Sequence, residues 1–244
     1  ELIQQKSWAL VIDAQGLHKS AFLARHAKAP LHGYDRESAR EGSAAFWYQY
    51  RYSVPWANQY NAVTRNRRLF AQILGYSIDH PADFGIPKWE ANSPYKPKQP
   101  YAVLLHGTSA ARKEGGESDW IELGRALNKK GLATLLFWGN DREHRRAQYL
   151  AEAIPNAIVA PKLSLKAIAP LLSGADLVVA VDTGLAHLAN TQDRPIVTLF
   201  LDGPPSYAGP IPTAHNNHVI NLGGKGAHPS VTEVYNAIES FNLF

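Results

Sequence analysis

The sequence has no cysteine among its 244 residues. Disulfide bonds, thiolate metal sites and cysteine nucleophiles are therefore excluded for these residues. Methionine is absent as well, and the chain opens at Glu1, so we expect the natural protein to contain further residues ahead of it. No apolar run approaches the length of about eighteen residues that predicts a transmembrane helix. The first residues also lack the basic, apolar and small-residue segments of a signal peptide.

Charge is sparse, because only 19% of the residues are charged, and 25 Lys and Arg against 21 Asp and Glu leave a net charge of +4. Such a mild basic excess suits nucleic acid, anionic lipid or a phosphorylated substrate. The basic residues are spread along the chain without an arginine-rich tract, so we expect no nucleic-acid binding. His and carboxylate residues do not cluster with metal-ligand spacing, so we expect no metal and no other cofactor.

The second half of the chain alternates short apolar runs, rich in β-branched residues, with helical patterns. The apolar runs predict buried parallel strands at 101–107, 132–139, 157–160, 177–182, 195–201 and 218–222. The helical patterns lie at 118–130, 141–154, 165–173, 184–191 and 230–240. This rhythm predicts an α/β fold with an open, doubly wound sheet, which binds ligands at the carboxyl ends of its strands.

The first part of the chain is less regular. It predicts a strand at 8–12, a helix at 19–26 and a long helix at 58–74 that Gly75 ends. One strand is too few for a doubly wound domain, so we expect this domain to be incomplete. Prolines and lysines at 88–100 indicate a linker, which predicts domains at 1–94 and 95–244. The final helix could also pack back on the first domain.

The sharpest motif is the string LVVAVDTGLAHLA, in which a buried strand ends at Asp182 and a helix begins near Thr183 and Gly184. Free backbone N–H groups at a helix N-terminus form an anion site that suits a diphosphate. His187 lies one turn into the same helix and could reach the same group. The alternative is that Asp182 only caps the helix and His187 is a packed core residue.

Two further motifs follow predicted strands. In LLHGTSAARK, the hydroxyls of Thr108 and Ser109 and the charge of Lys113 could bind a phosphate, although a polar loop with a solvated lysine is the alternative. In FWGNDRE, Gly139 allows a tight turn, and Asp141 or Glu143 could accept hydrogen bonds from ribose hydroxyls. The alternative there is helix capping by Asn140 or Asp141. Because all three motifs end strands of one sheet, we expect them to converge at one edge.

In the first part, VIDAQGLHKS places Asp13 and Gln15 between a strand and a helix. Arg36, Arg40 and Arg51 lie in a segment that is rich in aromatic and basic residues. Arginine binds carboxylates and phosphates through two parallel hydrogen bonds. A solvated basic surface is the alternative for each of these arginines.

The strings LLHGTSAARK, WGN, PKLSL and VDTGLAHLA, in this order and spacing, resemble the heptosyltransferases of lipopolysaccharide core synthesis, in glycosyltransferase family 9. VIDAQGLHKS, GYDRESARE and NLGGKGAHPSVTEV are similar to the type I members in particular. The resemblance covers almost the whole chain. It implies the GT-B architecture, in which two Rossmann-like domains face a cleft. The C-terminal domain would bind ADP-heptose, and the N-terminal domain would bind the acceptor.

The resemblance also implies roles for individual residues. The donor-binding set would comprise Thr108, Ser109, Lys113, Gly139, Asp141, Glu143, Leu163, Asp182, Thr183, Gly184 and His187. Lys113 would stabilise the leaving diphosphate and Leu163 would lie against the adenine. The acceptor-binding set would comprise Asp13, Gln15, Arg36 and Arg40, with Arg40 near the acidic Kdo sugar.

Two departures from the family pattern matter. An aromatic–proline pair usually follows the lysine, whereas this chain has Glu114, Gly115 and Gly116, so that loop is expected to be altered or loosely ordered. The family's catalytic base is an aspartate in a Gly-Asp loop after the very first strand, and that segment has no counterpart here. The base is therefore unknown and expected ahead of Glu1, and we expect the chain from Glu1 to bind nucleotide without transferring sugar.

The function implied is inverting, metal-independent transfer of L-glycero-D-manno-heptose from ADP-heptose to Kdo of lipid A. Because the acceptor is lipid-linked, the protein would be cytoplasmic and peripheral on the anionic inner membrane. One alternative is a heptosyltransferase that acts on a later core sugar. A non-catalytic sugar-nucleotide-binding module is a second, and a UDP-sugar epimerase of similar architecture is a third. An epimerase needs an acid/base pair around the donor sugar, which the sequence does not show.

Overall fold

The computed structural model of the chain describes residues 6–56, 59–108 and 113–244. The chain divides into two compact units between His80 and Pro81. Both units are built on parallel strands, so the predicted α/β class is confirmed. Within the described residues, no helix combines the length and the apolar character needed to cross a bilayer.

The first unit holds a sheet of three parallel strands, in the order β1 (Val11–Asp13), β2 (Leu31–Tyr34) and β3 (Tyr50–Tyr52). Helix α1 (His18–Ala24) follows the first strand, and helix α2 (Ala62–Leu74) ends at Gly75 in the left-handed conformation. The sequence predicted β1 and both helices, but it did not predict β2 or β3.

Short length and tertiary packing explain why those two strands were missed. β3 has only three residues, two of them exposed, so it shows no buried run. β2 contains Gly33, which weakens a strand by propensity alone. A Cβ at Gly33 would lie 2.5 Å from the Tyr48 ring. The glycine is therefore needed for close packing, and this reason is invisible in the local sequence.

The second unit holds six parallel strands in the order β6-β5-β4-β7-β8-β9. The strands are β4 (Tyr101–Leu105), β5 (Ala133–Leu136), β6 (Ala157–Val159), β7 (Leu177–Val181), β8 (Ile196–Phe200) and β9 (Val219–Gly223). The helices are α3 (Glu117–Lys129), α4 (Asp141–Ala153), α5 (Leu165–Ser173), α6 (Gly184–Thr191), α7 (Pro205–Ala208) and α8 (Val231–Glu239). The predicted alternation is thus confirmed, with α7 as an addition.

Apolar side chains cover both faces of this sheet. One core packs Trp120 and Leu127 of α3 and Leu150 of α4 against the strands, and a second core packs Leu171 and Leu172 of α5 on the other face. Strands β4, β5, β7 and β8 are buried at every residue. They therefore appear in the sequence as continuous apolar runs rather than as alternating ones.

The last helix, α8, belongs to the second unit. Its Val234 and Ile238 are buried in the core that also contains Trp120, and the helix contacts α3 and β8. The sequence allowed this helix to pack on the first domain, and the structure places it on the sheet of the second unit.

The division between the units falls earlier than the boundary predicted after residue 94. The backbone N–H of Trp89 donates to the side chain of Gln192 at 2.9 Å, and the Ser173 hydroxyl donates to the Trp89 carbonyl at 2.6 Å. Lys88 pairs with Asp193 at 2.8 Å. The prolines and lysines of this segment suggested a free linker, whereas its backbone is bound to the second unit.

Gly124 provides a test of packing in the first of these cores. A Cβ at this position would lie 2.6 Å from Cδ1 of Ile154. Gly124→Ala should therefore lower the free energy of unfolding by about 1–3 kcal/mol through overpacking, although alanine has the higher helix propensity. Urea denaturation checks this, with Glu122→Ala on the exposed face of α3 as the control. A stabilised Gly124→Ala variant would show that propensity outweighs packing.

Candidate functional site

Three loops meet at one edge of the large sheet. Strand β4 pairs with β5 on one side and β7 on the other, and all three run parallel. Their carboxyl ends therefore lie side by side. Across these ends, the Thr108 hydroxyl donates to the Asp182 carbonyl at 3.3 Å, and a Cβ at Gly107 would lie 3.0 Å from the Glu143 carboxyl carbon. The structure thus brings together the three motifs as predicted.

A cavity of about 270 Å³ opens between these loops. Five residues of the predicted donor-binding set line it, namely Thr108, Gly139, Glu143, Leu163 and Thr183. The other lining residues are mainly apolar and were not predicted, namely Leu105, Gly107, Phe137, Trp138, Leu165, Ile168 and Leu185. An apolar cleft with a few convergent polar groups is the usual form of a small-molecule site.

Trp138 forms part of the wall of this cavity. Its indole N–H donates to the Ala160 carbonyl at 2.7 Å, and its ring stacks on His144 with the centroids 4.0 Å apart. These contacts fix the orientation of the ring. Its position at the end of the predicted strand was the signal in the sequence, but aromatic residues also occur there for packing alone.

The sequence left open which residue caps α4 and which acidic residue faces a ligand. The Asn140 side chain accepts a hydrogen bond from the Glu143 N–H at 3.0 Å and so caps α4. The Glu143 carboxylate turns back and accepts from the Gly139 N–H at 2.7 Å, where it faces the cavity. Asp141 is exposed at the start of α4 and does not line the cavity. Of the two acidic residues, Glu143 is therefore the one placed for a ligand.

Among the residues that the structure describes, none closes the N-terminus of α6, which is therefore called open. Thr183 is its N-cap residue in an extended conformation, and no described side chain accepts a cap hydrogen bond there. A Cβ at Gly184 would meet no described atom within 4 Å. Asp182 does not cap the helix, because its carboxylate pairs with the ammonium group of Lys113 at 2.6 Å. The helix amides and a lysine charge therefore face the same space, as an anion site requires.

His187 lies on the exposed side of α6 and is not a core residue. Neighbouring protein atoms displace water from its ring and lower its pKa, while the Asp182 charge acts in the opposite direction. A hydrogen bond to the Ala208 backbone also acts to raise this pKa. Ser109 lies outside the described residues.

The first unit places its predicted residues differently. Asp13 is buried, and its carboxylate accepts hydrogen bonds from the Tyr48 hydroxyl at 2.9 Å, the Ser20 hydroxyl at 2.7 Å and the Gln15 N–H at 2.8 Å. Burial, and then the charge of Asp13, raise the pKa of Tyr48. Asp13 thus links β1 to its surroundings instead of presenting a free carboxylate to a ligand.

The polar residues around Asp13 are more accessible. Gln15, Arg36 and Arg40 are exposed. Arg51 is exposed as well, and its guanidinium donates to the Ala45 carbonyl at 2.8 Å. Because Gln15, Arg36 and Arg40 are exposed, they are accessible to an acceptor, and their acceptor-binding role stays a prediction. Among the described residues, no group of three or more His, Asp or Glu side chains is placed to hold a metal ion.

His106 directly follows β4 and is completely buried. Burial, reinforced by the charge of Arg146, lowers its pKa to about 4. The folded chain therefore excludes the imidazolium form. Above a pH of about 6.5, the neutral state of His106 costs the folded chain no stability. As the pH falls from about 6.5 towards 4, the unfolded chain takes up a proton that the folded chain does not. The free energy of unfolding therefore falls, by about 3 kcal/mol at most.

We accordingly expect the free energy of unfolding to fall between pH 6.5 and 4.5 more steeply in the native chain than in His106→Gln, which cannot take up this proton. Urea titrations at several pH values check the two slopes. Equal slopes would show that His106 is protonated as easily in the folded chain as in the unfolded one.

Comparison with known proteins agrees with this geometry. Lipopolysaccharide heptosyltransferase 1 of Pseudomonas aeruginosa is 41% identical over 223 residues, which cover 91% of this chain and 61% of that protein. The protein of the same name from Escherichia coli K12 is 40% identical over 86% of this chain and 66% of its own length. The chain thus spans somewhat less than two thirds of these relatives.

A solved structure described as E. coli heptosyltransferase WaaC with ADP matches 98% of this chain and 75% of its own, with 37% identity and a TM-score of 0.82. This likeness supports the predicted GT-B class. The model of glycosyltransferase family 9 (heptosyltransferase) matches residues 1–236. The chain therefore belongs to glycosyltransferase family 9, the heptosyltransferase family.

Proposed function

We propose that the protein is an inverting glycosyltransferase that moves L-glycero-D-manno-heptose from ADP-heptose to the Kdo sugar of the lipid A-linked inner core. One observation carries this proposal. A cavity between β4, β5 and β7 lies beside an open helix N-terminus and a lysine. This combination suits a nucleoside diphosphate. The choice of heptose and of lipopolysaccharide synthesis rests on the relatives named lipopolysaccharide heptosyltransferase 1.

The donor would occupy the second unit. The base would lie in the apolar part of the cavity against Leu163, and the ribose would face Glu143. The diphosphate would meet Thr108, Lys113 and the amides at Thr183 and Gly184. An anion so placed is stabilised by charge-assisted hydrogen bonds, which are about twice as strong as neutral ones.

The heptose would then lie next to Asp182 and His187. The Lys113 ammonium group lies 2.6 Å from the Asp182 carboxylate. A bound diphosphate would share this positive charge with Asp182. Without that lysine, the diphosphate and Asp182 would repel each other. The ion pair therefore lets a negative residue lie beside a negative donor.

The reaction would be a single displacement. The acceptor oxygen would attack the anomeric carbon as the bond to the diphosphate breaks, which inverts the configuration. The negative charge that develops on ADP would be stabilised by Lys113 and the α6 amides. The acceptor proton would pass to a general base, which stays unassigned because Asp13 is committed to hydrogen bonds within its unit.

The acceptor would meet the first unit at Gln15, Arg36 and Arg40, which are exposed. An arginine fork matches the carboxylate of Kdo. Since this acceptor is anchored in a lipid, the protein would act as a peripheral protein at the cytoplasmic face of the inner membrane. The net charge of +4 favours contact with anionic lipids.

The donor assignment predicts that this chain binds ADP more tightly than UDP in titration calorimetry. Lys113→Ala should weaken ADP binding by about ten- to a hundredfold, because it removes a charge-assisted contact worth about 1.5–3 kcal/mol. Lys129→Ala, at the exposed end of α3, is the matched control and should bind ADP normally. Tighter binding of UDP, or binding of neither nucleotide, would contradict the assignment.

The acceptor assignment predicts a selective kinetic effect in the intact enzyme. Arg40→Ala should raise the KM for a Kdo-bearing acceptor by about tenfold or more, as expected for loss of a charged hydrogen bond, and leave the KM for ADP-heptose unchanged. Lys19→Ala, also exposed in the first unit, serves as the control. Equal changes in both KM values would indicate a folding defect, and donor binding without any transfer would favour a non-catalytic binding module.

A further inference from the structure

Glu114 stands next to Lys113 at a position where the resemblance predicted an altered or loose loop. Its side chain is only 8% exposed. Arg142 donates to both of its carboxylate oxygens, at 2.7 and 2.8 Å. Arg146 donates to one of the same oxygens at 2.9 Å. The segment is thus altered in sequence but held by two ion pairs, one of them bidentate.

These three side chains also bind the backbone on both sides of the donor site. At the end of β4, Arg142 donates to the Thr108 carbonyl at 3.3 Å, and Arg146 donates to the His106 carbonyl at 3.3 Å. The Thr108 N–H donates to the Glu114 carboxylate at 3.4 Å. Beyond Lys113, Arg146 donates to the Gly115 carbonyl. The network therefore connects the chain before and after the phosphate-binding residues.

Both arginines belong to α4, which also carries Glu143. The N-terminus of α4 is fixed by its Asn140 cap and by the Glu143 contact with Gly139. Because Glu114 binds two arginines of this helix, the residues that follow Lys113, the end of β4 and the ribose-facing carboxylate are joined to one rigid element. Such supporting contacts set the position of groups that bind a ligand.

We propose that Glu114 is a positioning residue for the donor diphosphate. It holds Lys113 and Thr108 at the distance that the diphosphate requires, through Arg142 and Arg146 and without contact with the donor. It is absent from the residues that line the cavity, so it should affect the diphosphate and leave the nucleoside alone. This inference rests on the proposed function, since it takes ADP as the ligand.

The test compares ADP with adenosine, which lacks the phosphates, by titration calorimetry on the 244-residue chain. Glu114→Gln should weaken ADP binding by about tenfold, the effect of one misaligned charge-assisted contact, and change adenosine binding by less than about twofold. Glu117→Gln is the matched control. Its carboxylate lies 3.9 Å from the same Arg146 but is 50% exposed, and it should change neither ligand.

Arg142→Ala gives a second route to the same contact. The Arg142 side chain is 50% exposed, so its removal should leave folding intact even if Glu114→Gln does not fold. It too should weaken ADP selectively. Glu114→Asp, which keeps the charge, should recover part of the ADP affinity.

A double variant separates positioning from general stability. If Glu114 acts through Lys113 and Thr108, the double variant Lys113→Ala with Glu114→Gln should lose less ADP affinity than the sum of the two single losses, because coupled residues give non-additive effects. Full additivity, or equal losses for ADP and adenosine, would overturn the inference. Unchanged ADP binding in both Glu114→Gln and Arg142→Ala would do the same. Failure of the native chain to bind ADP would instead overturn the proposed function.

Discussion

The parallel pairing of β4 with β5 and β7 is the constraint on which the site depends. These strands are buried on both faces, so their side chains supply the core and cannot supply the chemistry. Polar groups that a ligand can reach appear only where the strands end. Since parallel strands end at the same edge, three loops far apart in sequence are brought side by side. The cavity, the open α6 N-terminus and the Lys113–Asp182 pair all lie at this edge.

Charge at that edge is balanced in pairs. Lys113 is paired with Asp182, and the arginines of α4 are paired with Glu114. The Lys113–Asp182 pair and the Arg146–Glu114 pair differ in exposure, because Lys113 and Asp182 are 28% and 22% exposed, whereas Arg146 and Glu114 are only 10% and 8% exposed. An exposed pair can exchange its partner for a ligand at small cost, while a buried one holds its geometry. The first pair is therefore suited to binding and the second to support.

The first unit depends on a different kind of interaction. Its apolar clusters are small, and buried polar contacts complete them. Arg65 is buried, donates to the carbonyls of Val54 and Ser38 at 2.6 Å each, and stacks on the Trp56 ring at 3.7 Å. Together with the hydrogen bonds of Asp13, these contacts hold the segments between β1 and α2, which display Arg36 and Arg40 on the surface.

The sequence by itself determined the six strands of the second unit, all of its helices except α7, and the three motifs that follow β4, β5 and β7. Fully buried strands leave continuous apolar runs, and glycines and helix-capping residues mark their ends, so these features are local. Only the tertiary structure decided that β2 and β3 exist, that Asp13 is satisfied internally, and that Glu143 rather than Asp141 faces the cavity. It also decided that Glu114 binds Arg142 and Arg146. Each of these depends on contacts between residues distant in sequence or on the direction of one side chain, and neither leaves a periodic signal in the chain.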